Sequence, residues 1–398
     1  MSLAQEEAGV AKQREDGNLP RLLYGMELSY FTGKLEGVLR YKELPYTRVL
    51  KGPIGEVEES TGTAQVPALQ IADGRWMTDS TPIIAWLDEK FPETPVMPGD
   101  PVTRFFSLLL EDYADEWLWR PAMHYRWDYA ESAAHQGRVL AEADDTSGMP
   151  DFLKRYFIIN RQRKLFTVGD GVTSQTWEHV ESIFHDSLSQ FTNILASRPY
   201  LLGERPSIAD FGFFGPMFRH FAMDPVSARI MRETAPAVFE WVARTWNARY
   251  STCHGPLLGS VPADWGPILD SVGTGYLPYL CANADAWKSA QANFDVTIEG
   301  APYRNIRTSF YRVWCLEELR RHYDELPEDR KSEARGILEA HGCWQGLWQV
   351  TLPPSPAAEN AKLPFAGVGT QTGLTSEQAN KTLNLLPVRV PNTKATHN

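Results

Sequence analysis

The sequence predicts an α+β unit with a mixed four-stranded sheet in the order βαβ-ββα, then an all-α unit, then a mostly helical C-terminal extension. Three observations carry this. Between residues 21 and 91, short apolar runs flank one helical pattern and lead into a capped helix. From about residue 101 to 260, apolar residues recur at helical spacing almost throughout. Inside that stretch a Ser-x-x-Asp capping box, Ser207 to Asp210, opens an apolar helix. The divisions expected are a flexible N-terminus over 1–19, the α+β unit over 20–95, the helical unit over 100–260 and the extension with its tail over 261–398.

Each element has its own reason. Residues 22–26 read as a buried strand, and 33–44 as a helix with Leu35, Val38, Leu39 and Tyr41 on one face, stopped by Pro45. Residues 46–50 form a second strand, and 51–62, with Gly52-Pro53 and Gly55, a loop holding a short helix. Residues 66–71 and Trp76-Met77 pair as a hairpin across Ala72-Asp73-Gly74-Arg75, whose Asp-Gly is a turn signal. Residues 81–91 form a helix with Pro82 in its first turn and Pro92 as its stop. One long helix is expected over 102–129, others over 176–197 and 236–250, and in the extension over 265–288, 309–323 and 327–341. From Pro353 onward, Pro, Asn, Thr and Gly predict an extended, partly mobile tail.

Composition narrows the function. The chain has 398 residues with a formal net charge of −11, which argues against a nucleic-acid partner, since such binders carry a basic excess or stripe. Four scattered cysteines, Cys253, Cys281, Cys315 and Cys343, without CxxC or zinc spacing, read as free thiols of a reducing cytosol. The polar N-terminus lacks the apolar heart of a signal peptide, and no apolar run approaches the ~20 residues of a membrane span. A cytoplasmic protein without membrane contact is expected.

Val66-Pro67 and Asp79-Ser80 are the most informative motifs. A proline at a strand start removes a ladder donor and belongs at an edge or special turn. An Asp-Ser pair opening a helix attracts a carboxylate through the helix's unpaired N–H groups. Both residues are also ordinary helix caps. With the strand-loop-helix of residues 24–40 and the segment Leu201-Leu202-Gly203-Glu204-Arg205-Pro206-Ser207-Ile208-Ala209-Asp210-Phe211, the chain resembles the glutathione transferase superfamily over roughly residues 21–249. The extension lies outside the resemblance.

The resemblance implies a thioredoxin-like first unit, glutathione as cosubstrate, no metal, and conjugation of the glutathione thiol to a hydrophobic electrophile, as in detoxification. It implies a cis bond before Pro67, with Val66 offering its backbone N–H and C=O to the cysteinyl part. Asp79 and Ser80 hold the γ-glutamyl end, with Gln65 as a further contact. The thiol donor falls within residues 27–36. Ser29 fits the serine-type pattern, with Lys34 about where a basic residue is placed; Tyr30 fits the tyrosine-type pattern. Both stay open. The absence of Cys from this segment argues against disulfide-reducing members. Trp117, Trp119, His124, Tyr125 and Trp127 are candidate lining for the electrophile, with core packing the competing reading for each and a hydrogen-bonded structural role for His124. A homodimer is implied. Two other functions remain open: a non-catalytic binding or assembly module of the same fold, and glutathione-dependent ether or halide cleavage or isomerisation.

Overall fold

A computed structural model describes residues 17–49, 54–62, 64–143 and 148–352. The expected tail from residue 353, and the N-terminal segment as far as residue 16, lie outside the described residues.

The first unit has the expected order. It runs β1 (Pro20–Tyr24), α1 (Tyr30–Tyr41), β2 (Thr47–Val49), α2 (Ile54–Thr61), β3 (Ala68–Ile71), β4 (Trp76–Thr78) and α3 (Ser80–Lys90). The sheet order is β2-β1-β3-β4, with β1 parallel to β2 and the other pairs antiparallel. Leu23, Leu69 and Met77 meet Leu35, Val38, Leu39, Ile83 and Ile84 in one apolar core beneath α1 and α3. Helix α1 ends three residues before the expected stop. Glu43 takes a left-handed φ of 56°, the Leu44 N–H bonds the Leu39 carbonyl, and the Glu43 N–H bonds that of Arg40. This is a Schellman closure built around Glu43 instead of the usual glycine.

The helical unit follows: α4 (Pro101–Glu116), α5 (Trp119–Trp127), α6 (Ala130–Ala143), α7 (Asp151–Gln162), α8 (Trp177–Leu195), α9 (Ile208–Pro216), α10 (Pro225–Thr234) and α11 (Pro236–Asn247). The single helix expected over 102–129 is two, broken at Trp117-Leu118. Pro121 has no N–H to give the Trp117 carbonyl, and its ring would clash there. The Ser207–Asp210 capping box is formed, and Asp210 also accepts from the Leu201 N–H at 2.8 Å and from Trp241 Nε1 at 3.3 Å. Helix α9 packs between α1 and α4. A Cβ on Gly212 would come within 2.7 Å of the Glu111 Cα, so glycine permits the closest approach of α9 and α4.

The extension contains α12 (Gly266–Ser271), α13 (Leu277–Lys288), β5 (Asn293–Ile298), β6 (Ala301–Arg307), α14 (Phe310–Asp324), α15 (Glu328–Ala340) and α16 (Cys343–Trp348). The β5–β6 hairpin lies between the helices expected over 265–288 and 309–323. Its turn residues Glu299 and Gly300 both have positive φ, 48° and 86°, as a tight hairpin requires. The Glu299 carboxylate is held by His179 Nε2 at 2.9 Å and Thr274 Oγ1 at 2.7 Å, which anchors a residue that ordinarily avoids this conformation. The extension shares its core with the helical unit: one apolar cluster runs from Val102 to Val350. Arg312 of α14 ties the two together through Glu116 at 3.1 Å and Asp170 at 2.7 Å. Helices α14 and α15 both lie on α4. All four cysteines are free thiols.

Candidate functional site

The sheet register brings the motifs to one edge. Tyr24 pairs with Ala68, and Ala68 with Thr78. The residues that continue beyond this row are therefore Gly25 after β1, Pro67 and Val66 before β3, and Asp79 and Ser80 after β4. The Val66–Pro67 bond is cis. Val66 and Gln65 are half-buried, and Gln65 Oε1 is buried with no hydrogen-bond partner among the described residues.

Asp79 caps α3 with φ 74°, and its Oδ1 accepts the Thr81 N–H at 3.3 Å. Its Oδ2 is buried without a partner among the described residues. Burial pushes the Asp79 carboxyl up to about 7, against the pull of Lys34 and the Thr81 N–H. Ser80 follows, also buried, in the first turn of the helix, where N–H groups lack intrahelical acceptors. Two acceptors, Gln65 Oε1 and Asp79 Oδ2, are thus left without donors beside a helix start.

Ser29 caps α1. Its Oγ accepts the Thr32 N–H at 3.3 Å, which leaves its own proton free to donate outward. No acidic residue lies in the first turn of α1, so the positive end of the helix is not offset there. The loop before it is pinned. Arg126 Nη1 of α5 donates to the Leu28 carbonyl at 2.8 Å while its Nε pairs with Asp224 at 2.9 Å. His220 lies 2.9 Å from the same guanidinium; burial, then the Arg126 charge, hold it well below its ordinary range, so it stays neutral and accepts. A Cβ on Gly25 would meet Thr32 Cγ2 at 2.5 Å, so glycine is needed where the loop crosses α1.

Tyr30 lies elsewhere. It is buried, and its hydroxyl donates to the main-chain carbonyl of Asp115 on α4. Burial, then the Asp115 charge, push its phenol well above its ordinary value. Lys34 is likewise turned inward. Its ammonium meets Glu111, Asp115 and, at 3.1 Å, Thr81 Oγ1.

The five aromatic candidates separate. Trp119 is only half-buried and lies against α1: it stacks on Phe31 with centroids 6.1 Å apart and meets Phe166 edge-on at 5.4 Å. The other four are taken up by packing, which corrects the expectation of a five-residue lining. Trp117 packs on Tyr276 and Tyr279 under the extension. Tyr125 stacks on Tyr129 at 5.3 Å and against Phe184. Trp127 is buried with Met123 and Ala133. His124 is held on both ring nitrogens, by Asp128 at 2.9 Å and Glu181 at 3.0 Å.

Phe31, Phe166, Arg126 and Tyr311 were not foreseen as site residues. Phe31 had a signal, its place beside Ser29 and Tyr30. The other three reach the site by long-range packing. Tyr311 of α14 donates to Asp79 Oδ1 at 3.5 Å. Among the described residues no group of three or more His, Cys, Asp and Glu side chains is placed to hold a metal, and no helix is long and apolar enough to cross a membrane.

The profile "Glutathione S-transferase, N-terminal domain" matches residues 23–95, and "Glutathione S-transferase, C-terminal domain" matches residues 174–244. Among solved structures the chain is similar to a glutathione S-transferase from Rhodospirillum rubrum, at 20% identity and TM-score 0.38, covering 57% of this chain and 87% of that one. It is similar to the beta-etherase LigF of a Sphingobium strain, at 20% identity and TM-score 0.40, over 56% of this chain and 93% of that one. A rice transferase solved in complex with glutathione is 18% identical, with TM-score 0.35, over 56% of this chain and 86% of that one. The first profile contains the cis Val66–Pro67 edge and the second the Ser207–Asp210 capping box, and by these two domains, matched in order, the chain belongs to the glutathione S-transferase superfamily.

Proposed function

We propose that the protein is a glutathione transferase that joins the glutathione sulfur to a hydrophobic electrophile. One observation carries this reading: the cis Val66–Pro67 unit, the Asp79–Ser80 helix start and the Ser29-capped helix lie at one end of the sheet. In this reading the Val66 main chain pairs with the cysteinyl unit. Ser80 and the start of α3 take the γ-glutamyl carboxylate, and Asp79 takes the ammonium; Gln65 Oε1 accepts a further donor. Ser29 donates to the thiolate. A free thiol titrates near 8.5, so a donor and a helix N-terminus each raise the reactive fraction at neutral pH. The thiolate then attacks an electrophilic carbon held against Phe31, Trp119 and Phe166. A C–S bond forms, and the electron pair leaves with the departing group or is protonated by solvent.

The geometry favours Ser29 over Tyr30 as donor, because the Tyr30 hydroxyl is already spent on the Asp115 carbonyl. Retention on immobilised glutathione with turnover of a model aryl halide tests the reading; failure of both would overturn it. The same thiolate serves ether or halide cleavage and isomerisation, and product analysis separates them. The proposal carries with it a cytoplasmic location and a homodimer. A second copy would have to pair away from the α4 surface that α14 and α15 of the same chain cover.

A second reading, a binding module without turnover, draws on Tyr311. An extension helix that bonds Asp79 could keep the γ-glutamyl end closed. Glutathione binding without any turnover across several electrophiles would favour it.

A further inference from the structure

Helix α7 lies at the periphery of the helical unit. It packs against α6 and against the wider helical turn that continues it, Arg163–Thr167. Ile158 and Ile159 face inward, onto the cluster of Met123, Trp127 and Ala133. A Cβ on Gly137 would come within 2.9 Å of Ile159 Cδ1, so glycine in α6 lets the two helices close. No residue of α7 is fully buried.

The outward face is aromatic where a solvated helix is polar. Phe152 is 67% exposed, the most of any large apolar side chain among the described residues, and Tyr156 is 62% and Phe157 37% exposed. Phe152 and Tyr156 are one turn apart on the same face. Tyr156 meets Phe157 edge-on with centroids 5.6 Å apart, so the three rings form one patch. A contiguous exposed patch of this kind is a surface that another molecule or a lipid phase covers.

The charges select the partner. Residues 151–164 carry five cations, Lys154, Arg155, Arg161, Arg163 and Lys164, and one acid, Asp151, in a chain whose formal net charge is −11. Arg161 and Lys164 follow Phe157 by four and seven positions, on the same stripe of the helix as it continues. Both are exposed and make no ion pair among the described residues. Asp151 stands at the first position of the helix, about 15 Å along the axis from Arg161, beyond a screening length at physiological salt. A second copy of α7 would set the excess of cations against itself. An anionic bilayer meets both features: its phosphates take the cations, and its headgroup–acyl boundary takes the rings of a helix lying in its plane.

We propose that α7 docks the protein on an anionic lipid surface, with Phe152, Tyr156 and Phe157 in the headgroup–acyl boundary and Arg161 and Lys164 on the phosphates. A helix lying on the surface needs no span, so the expectation of a protein without membrane contact, which rested on the lack of one, does not cover this case. The docking stands whether or not the protein turns over glutathione.

Sedimentation of the full chain with vesicles of phosphatidylcholine and phosphatidylglycerol in equal parts, and with vesicles of phosphatidylcholine alone, tests it. Binding to the mixed vesicles only is expected, and it should weaken as salt is raised. Arg161→Gln with Lys164→Gln should weaken it by about 10-fold or more, the scale of two cations lost from an anionic surface. Phe152→Ser with Tyr156→Ser should weaken it by about 10-fold as well, since apolar burial is the other source of affinity. These side chains are exposed, so circular dichroism should show both variants folded. Arg304→Gln with Arg335→Gln, which removes two exposed cations outside α7, should leave binding unchanged. No binding to the mixed vesicles, equal binding to phosphatidylcholine alone, unchanged affinity in either α7 variant, or an equal loss in the control pair would overturn the proposal. A dimer in sedimentation velocity that Phe152→Ser with Tyr156→Ser dissolves would assign the face to a second copy. Retention on poly-L-glutamate without vesicle binding would assign it to an acidic chain. Either result overturns the proposal.

Discussion

The hydroxyl of Tyr311 reaches Oδ1 of Asp79 across 232 positions of sequence, at 3.5 Å. An extension that shares no pattern with the rest of the chain thereby touches the residue assigned to the γ-glutamyl ammonium. Tyr311 donates to the carboxylate form and so opposes the burial that raises Asp79.

The pH dependence of binding follows from Asp79. Its carboxyl titrates near 7 in the folded chain against an ordinary 3.8. Only the ionised form attracts an ammonium, so affinity for glutathione should fall as pH drops below about 7, with up to one proton released on binding. Asp79→Asn should bind weakly without that dependence. Tyr311→Phe should move the midpoint upward and weaken binding a few-fold at pH 7. Calorimetry across pH 5.5 to 8 checks all three (roughly the window of one shifted carboxyl). The sign for stability is opposite. The native state keeps a proton that the unfolded chain has lost above its own value, so Asp79 makes the fold less stable as pH rises from about 4 to 7, and Asp79→Asn removes this loss. Urea midpoints at the two ends of that range measure it.

Ser29 and Tyr30 should separate cleanly. Ser29→Ala is expected to raise the pKa of bound glutathione, read from thiolate absorbance, and to lower turnover by about 10- to 100-fold, toward the effect of losing one transition-state donor. It also removes a helix cap, at about 1 kcal/mol. Tyr30→Phe should leave the thiol where it is. It strips the Asp115 carbonyl of a buried donor and should cost about 1–3 kcal/mol of stability. A shifted thiol in Tyr30→Phe with none in Ser29→Ala would reverse the assignment.

Arg126 positions the loop that carries Ser29. Arg126→Met would leave Asp224 buried without its cation and free the Leu28 carbonyl. A loss of about 3–5 kcal/mol is expected. Arg126→Lys keeps the charge but cannot bridge Asp224, the Leu28 carbonyl and His220 at once. Turnover should fall in this variant with little change in the affinity for glutathione, which steady-state kinetics set against calorimetry would reveal.

Arg312 fastens the extension. Arg312→Met leaves Glu116 and Asp170 without the cation they share, although Asp170 keeps Arg120 at 3.3 Å. Hydrogen exchange should quicken in α14 and β6 before it does in β1 and β3. If exchange quickens equally everywhere, the extension does not open separately from the body.

Local chemistry was enough to write most of the first unit and its binding edge. The Asp-Gly turn, the Pro67 strand start, the Asp79-Ser80 helix start and the Ser207–Asp210 box are short-range features, each satisfied within a few residues, so one stretch of chain determines them. Pro121 was equally local and would have divided the helix over 102–129. The Glu299-Gly300 turn was harder, because Glu is an uncommon first turn residue and its support comes from His179 and Thr274, far away in the chain.

Tertiary structure decided which of several chemically equivalent side chains face the site. Tyr30 and Ser29 are neighbours, yet one step along the helix sends the phenol to the Asp115 carbonyl and leaves the smaller hydroxyl at the helix start. Trp117 and Trp119 look alike in sequence, but the break before α5 sends Trp117 under the extension and Trp119 onto Phe31. The physical reason is common to both. A hydroxyl or ring takes its role from the partner that packing brings within reach, and those partners, Asp115, Tyr279, Arg126 and Tyr311, lie tens to hundreds of residues away.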